Sequence, residues 1–164
     1  MPQTSRFTRG QGFFGKLLAG VLRIGTGTAY AEYQNASVAI SSANILAMNG
    51  APVTILAAPG SGKAILVDSI TFKMVATSTQ YASGGAVSFV YHGGNVNVAS
   101  STIPAATINA TAGTTYTLLG PAIVASGAVL PANTGVDITN ATGAFTTGTG
   151  TAVAYIEYHV VTLP

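Results

Sequence analysis

The sequence predicts an all-β fold: a single β-sandwich, jelly-roll or Greek-key-like, with an extended N-terminal arm. Three observations lead there. Short runs rich in Val, Ile, Thr, Tyr and Phe recur from residue 38 onward, each bounded by Gly, Pro or Asn, the alternation expected of strands and turns. At most one stretch of the body reads as a short helix. Charged residues make up only 6% of the chain, against roughly 25% in an ordinary soluble domain. The hydrophobic fraction of 48% is ordinary, so Thr, Ser, Asn, Gly and Ala stand where charges usually do. A monomer with so little charge tends to associate. Much of its surface is therefore expected to be covered by neighbours, or to work outside the cytosol.

The length of 164 residues fits one domain with an appendage: a basic, apolar arm over 1–34 and a sandwich over 35–164. There is no cysteine, so disulfides and thiolate metal sites are excluded. No apolar run approaches the roughly 18 residues that span a bilayer. The net charge of +2 is unevenly spread. Arg6, Arg9, Lys16 and Arg23 precede the first acid, Glu32, and the remainder is slightly acidic.

In the arm, Phe13, Phe14, Leu17, Leu18, Val21 and Leu22 recur at helical spacing, with Lys16 and Arg23 off that stripe. Gly12, Gly15 and Gly20 weaken such a helix by up to about 1 kcal/mol each. A secretory signal ending in Ala29-Tyr30-Ala31 is one reading, but Arg23 interrupts its apolar run. A membrane-surface helix is another. The preferred reading is an extension that orders against another subunit, with Arg6, Arg9, Phe13, Phe14, Lys16, Leu17, Leu18, Val21, Leu22 and Arg23 as its contact residues. Single-stranded nucleic acid could stack on Phe7, Phe13 and Phe14. The nearly neutral body offers no basic patch to continue such a site.

In the body, Val38–Ile40 reads as a strand. Ser41 or Ser42 then caps a short helix through Ile45, Leu46 and Met48 that ends at Asn49-Gly50. Between Pro52 and Val75, two apolar runs flank Ala58-Pro59-Gly60-Ser61-Gly62-Lys63. That centre resembles a phosphate-binding loop, but Ala57 and Ala64 stand where Gly and Ser or Thr are needed, and the following residues favour strand over helix. Two antiparallel strands joined by a Pro-Gly-Ser-Gly turn are expected instead. Ala64, Leu66, Ile70, Phe72 and Met74 are expected to share one strand face with Asp68. Thr77–Gly85 reads as a polar loop. Ala86–Tyr91, Val96–Val98, Thr114–Leu119, Ile123–Val129, Val136–Thr139 and Ala152–Leu163 read as strands, while Ile103–Asn109 is ambiguous.

Titratable groups are scarce. Glu157 and His159 point to one side of a strand, which would suit a metal or a base with its orienting partner if His92, Asp68 or Asp137 came near. A solvated or interface pair is the simpler outcome. Asp68 itself is expected to accept bonds from backbone N–H groups, Lys63 or Lys73. No Ser sits in a G-x-S-x-G elbow. The sequence points to no enzyme and no cofactor.

Ser41–Met48 followed by Ala51–Val67, with Ala58-Pro59-Gly60-Ser61-Gly62-Lys63 at its centre, resembles the opening of small virion proteins of tailed bacteriophages. The closing strand Tyr155-Ile156-Glu157-Tyr158 is similar as well. The resemblance covers about residues 38–164, and the arm departs from it. It implies a capsid decoration (cement) or minor head protein, a homotrimer on the capsid surface that bridges major capsid subunits, with no catalytic residues. The alternative class is a tail or fibre module that recognises a receptor or glycan on the host surface.

Overall fold

Ten consecutive residues, Ala31–Ile40, form the first strand (β1), seven more than its apolar tip indicates. The computed structural model describes residues 31–93, 96–122 and 130–163. The ten arm residues singled out above and the expected strand over 123–129 lie outside that set. Among the described residues there are nine strands and two short helices, an all-β fold.

After β1 the chain turns into helix α1 (Ser42–Ala47). Ser41 is its cap: its hydroxyl accepts from Asn44 N at 3.2 Å while Asn44 Oδ1 accepts from Ser41 N at 3.1 Å. This reciprocal pair satisfies two backbone donors that a helix start leaves open.

β2 (Val53–Leu56) and β3 (Lys63–Ala76) follow, and here the expected hairpin is corrected. The glycine turn exists: Gly60 and Gly62 take φ of +99° and +69°, and Lys63 N donates to Gly60 O at 3.3 Å. Yet β2 pairs with β7 (Val136–Thr139), whereas β3 pairs with β6 (Gly113–Leu119) and β9 (Thr151–Thr162). The turn lifts the chain from one sheet to the other. No helix follows it, so the phosphate-loop likeness ends there.

A second correction concerns β3. Its ladder with β9 shifts register between Val67 and Ser69, so Asp68 is an extra residue on the β3 side. Such a bulge turns the alternation over. Ile65 and Val67 point inward before it, and Ile70, Phe72 and Met74 after it. The face expected to join Leu66 and Asp68 to Ile70 is thus divided between the two sides of the sheet.

The remaining elements are β4 (Ala82–Ser83), β5 (Ser88–Tyr91), α2 (Ala105–Ile108) and β8 (Phe145–Thr146). The stretch Thr77–Gly85, expected as a plain polar loop, contains β4 and the buried Tyr81. The ambiguous Ile103–Asn109 contains α2. Two sheets run β1-β9-β3-β6 and β2-β7-β5, and β4 with β8 forms a small third. The antiparallel ladders nest: β1 with β9, β2 with β7, β3 with β6, and innermost β5 with the segment at Asn97. That last pairing is held by Tyr91 N to Val96 O and Val98 N to Phe89 O, both 3.0 Å.

The core lies between the two larger sheets. Phe72 of β3 meets Phe89 of β5 edge to face at 6.5 Å, a contact worth about 0.5–1.5 kcal/mol beyond the area it buries. The Tyr91 hydroxyl donates to Ile65 O across the layers at 2.6 Å. At one end, Tyr81 packs on Phe145 at 6.0 Å and donates to Gly150 O at 2.7 Å. Burial raises the pKa of both Tyr81 and Tyr91 above the ordinary 10.0.

Candidate functional site

With one face of the β1-β9-β3-β6 sheet turned to the core, the other is open. Register places its rows. Tyr33 of β1 lies beside His159 of β9, then Asn35 beside Glu157, then Ser37 beside Tyr155. Across β9, Ser69 faces Glu157, Thr71 faces Tyr155 and Lys73 faces Val153. On the far edge, Leu118 lies beside Thr71 and Tyr116 beside Lys73. Four large side chains stand out from this face: Tyr33 at 41%, Tyr155 at 42%, Tyr116 at 63% and Leu118 at 74% exposure. Between them is a shallow depression of ≈ 360 Å³, lined in part by Asn35, Ser37, Ser69, Thr71, Leu118, Tyr155 and Glu157.

The bulge supplies the polar end of the face. Because Asp68 is extra, both it and Ser69 fit against the β9 segment Glu157–His159. His159 Nδ1 lies 2.6 Å from Asp68 Oδ2, and the Ser69 hydroxyl donates to Glu157 Oε2 at 2.9 Å. Asp68 therefore takes the imidazole as partner, in place of the lysines or backbone donors expected for it. Tyr33 packs edge-on against His159 at 5.3 Å. Its hydroxyl is held above the usual tyrosine pKa, first by desolvation, then by its hydrogen bond to Glu157 and by the charges of Glu157 and Asp68. At the other end, the Lys73 ammonium sits 5.9 Å from the centre of the Tyr116 ring.

The second histidine lies elsewhere. His92 Nδ1 is 2.6 Å from Oδ2 of Asp137, whose side chain is 3% exposed on β7 while that of His92 is 67% exposed. Asp137 lies beside Val90 of β5 and Thr54 of β2. Its other oxygen, Oδ1, is buried without a hydrogen-bond partner.

Chemically, these are two separate His–carboxylate pairs. Among the described residues no three His, Asp or Glu side chains gather as metal ligands. The Ser69 hydroxyl, next in sequence to Asp68, is bonded to Glu157, which is not the nucleophile-to-base contact that acyl transfer needs. Sequence reasoning brought Glu157, His159 and Asp68 together as candidates. It missed the exposed tyrosines, although the alternation of Tyr155 with Ile156 and of Tyr116 with Thr117 gives their outward direction once the core face is known. The arm residues proposed as contacts, Arg6 through Arg23, lie outside the described set.

The chain matches no known family model and no curated protein. Among solved structures it is similar to a chain of the cyanophage Pam1 capsid asymmetric unit. The identity is 16%, the TM-score 0.44, and the match covers 89% of this chain and 96% of that one.

Proposed function

We propose that the protein is a non-enzymatic structural component of a tailed-phage particle, which decorates the capsid surface and stabilises it by bridging major capsid subunits as a trimer. The observation that carries this reading is the open sheet face. Three tyrosines and a leucine stand exposed on it, in a chain whose charged fraction of 6% leaves little else to keep the surface solvated. Tyrosine is enriched at protein interfaces because it offers apolar area with a polar tip. The sequence resemblance of Ala51–Val67 to small virion proteins points the same way. So does strand order: we read the nested ladders 1–9, 2–7, 3–6 and β5–Asn97 as a jelly roll, an architecture used by capsid and lectin domains.

The test is to add the protein to purified shells and follow both loading and the shell's resistance to heat. Removing residues 1–30 spares β1, so the shortened chain should fold and lose loading if the arm grips neighbouring subunits. Full loading without the arm would refute that part. Copy number in particles separates the head from the tail: hundreds of copies mean decoration, a dozen or fewer mean a tail or vertex.

A second reading, a tail or fibre module that recognises a host-surface glycan, is favoured by the depression between Tyr155 and Leu118, since an exposed aromatic ring at a shallow recess suits a sugar face. Reproducible signals on a glycan array, lost on Tyr155→Ala, would decide for it.

A further inference from the structure

We propose that the open face of the β1-β9-β3-β6 sheet pairs with the same face of a second copy of this chain about a twofold axis, with Lys73 of each copy on Glu157 of the other. This rests on the reading of that face as a contact surface in an assembling structural protein, and it names the partner and the symmetry.

Charge is the first argument. The row that holds Ser37, Tyr155, Thr71 and Leu118 is the middle of the face. On one side of it Ser69 faces Glu157, and on the other Lys73 faces Val153. Each of these rows stands about 7 Å from the middle one. Turning a second copy over about the middle row exchanges the two outer rows and keeps each strand over its own counterpart. Lys73 then lies above Ser69 of the other copy, one strand or about 4.8 Å to the side of Glu157, within reach of its long side chain. Among the described residues no ion pair includes Lys73 or Glu157 within one copy. The Ser69 hydroxyl occupies one Glu157 oxygen from within the sheet, and the ammonium takes the carboxylate from outside. Asp68, whose side chain is 36% exposed, adds to the negative charge beside Ser69. Twofold symmetry makes each contact twice.

Shape is the second. Leu118 and Tyr155 stand on the middle row, so each meets its own counterpart across the axis, and together they cover the depression between them. A crossing within about 30°, usual for aligned sheets, keeps these pairs close to register around Thr71 at the centre. Tyr116 comes over the far end of the other copy's β6, where Leu119 is buried and Gly120 has no side chain to oppose the ring. Tyr33 and His159 remain at the rim.

Area sets the strength. Four strands about 4.8 Å apart, over the strand length from Thr151 to His159, make about 500 Å² of sheet, or about 1,000 Å² across two copies, the lower end for a specific interface. The pairing is therefore reversible, and because it is steered by exposed charges it weakens with salt.

The experiment uses the full chain in sedimentation velocity over a range of concentrations at low salt. Lys73→Glu sets acid against acid and Glu157→Lys sets cation against cation, each twice per pair. Either variant alone should self-associate at least about tenfold more weakly than the wild type. Mixed in equal amounts, the two variants should pair with each other to within about threefold of the wild type, because both contacts are again of opposite sign. Thermal midpoints check that each variant is folded. Leu118→Cys supplies a single thiol in a chain without cysteine. A short bismaleimide should join two copies through it at a yield that rises with concentration, whereas a head-to-tail contact would leave the two thiols apart. A wild type whose copies do not pair, variants that associate as it does, a mixture that fails to recover, or a pair that the Leu118→Cys linker does not capture each overturns the proposal. Shell loading is read in parallel. Loading that persists while the pairing predictions fail leaves the capsid reading standing, and absence of loading with those predictions met sinks the capsid reading alone.

Discussion

Tyr91→Phe removes one oxygen and tests how the two sheets are tied. In the wild type the Tyr91 hydroxyl donates to Ile65 O at 2.6 Å, from β5 of one sheet to β3 of the other. Tyr91 is 6% exposed, so water cannot readily replace the bond. A net hydrogen bond is worth about 0.5–1.5 kcal/mol, and a buried acceptor left short adds to the loss. Together these give about 1–2 kcal/mol at pH 7, or roughly 3–6 °C in thermal midpoint for a domain of this size. The pH dependence sharpens the test. Burial raises the Tyr91 pKa above 10.0 in the folded protein. Its contribution is therefore complete below the unfolded value and is lost as pH rises through the folded one. Above pH 10 the wild type should lose stability relative to the Phe variant by up to about 1.4 kcal/mol per pH unit, so the gap should narrow as the pH rises beyond 10. Tyr81, raised by burial as well, titrates in both proteins and cancels in the comparison. Urea melts at pH 7, 9, 10 and 11 supply the numbers. Equal midpoints at pH 7, or a gap that stays constant through pH 11, would show that this bond does not tie the layers.

Deleting Asp68 should leave the chain folded: Val67 and Ser69 become neighbours while keeping Tyr158 and Glu157 opposite them, and Ile70, Phe72 and Met74 stay inward. Asp68→Asn keeps the bulge and should cost no more than about 1 kcal/mol, so urea melts of the two variants separate the bulge from the charge, and an unfolded deletion variant would contradict the register. Two glycines of similar φ make the other test. Gly148 and Gly60 take +93° and +99°, but an added Cβ at Gly148 would fall 2.4 Å from the Tyr81 ring, whereas at Gly60 it meets nothing within 4 Å. Ala at Gly60 should cost about 1–2 kcal/mol for backbone strain alone, and Ala at Gly148 about 1–3 kcal/mol more for overpacking. Matching calorimetric midpoints would contradict this account of the Tyr81 end of the core.

The all-β class was legible because β-branched and aromatic residues alternate between turn signals, and that signal is local. Pairing was not. Pro59-Gly60-Ser61-Gly62 specifies a reversal of direction and nothing about which strands flank it, so β2 and β3 read as a hairpin although each finds its partners far along the chain. The bulge did leave a trace: the apolar parity passes from Ile65 and Val67 to Ile70, Phe72 and Met74 across Asp68-Ser69. Read as an inserted residue, that flip locates the bulge from sequence alone. The His159–Asp68 contact was within reach as a list of candidates, since few titratable groups exist to choose from. Assigning the partner required the register of β3 on β9.

The central position of β9 also bears on how the chain is made. β1 has no described neighbour other than β9, and β3 has β9 along most of its length. While a ribosome is still adding residues 151–162, β1 is without its ladder and Ile65, Val67 and Ile70 lack their partners Val160, Tyr158 and Ile156. Closing the outermost ladder joins Ala36 to Ile156, a separation at which loop closure is slow. Synthesis thus withholds the four-stranded sheet until β9 emerges, and with it the outer face that carries Tyr33, Tyr116, Leu118 and Tyr155. An incomplete chain has no such face to offer.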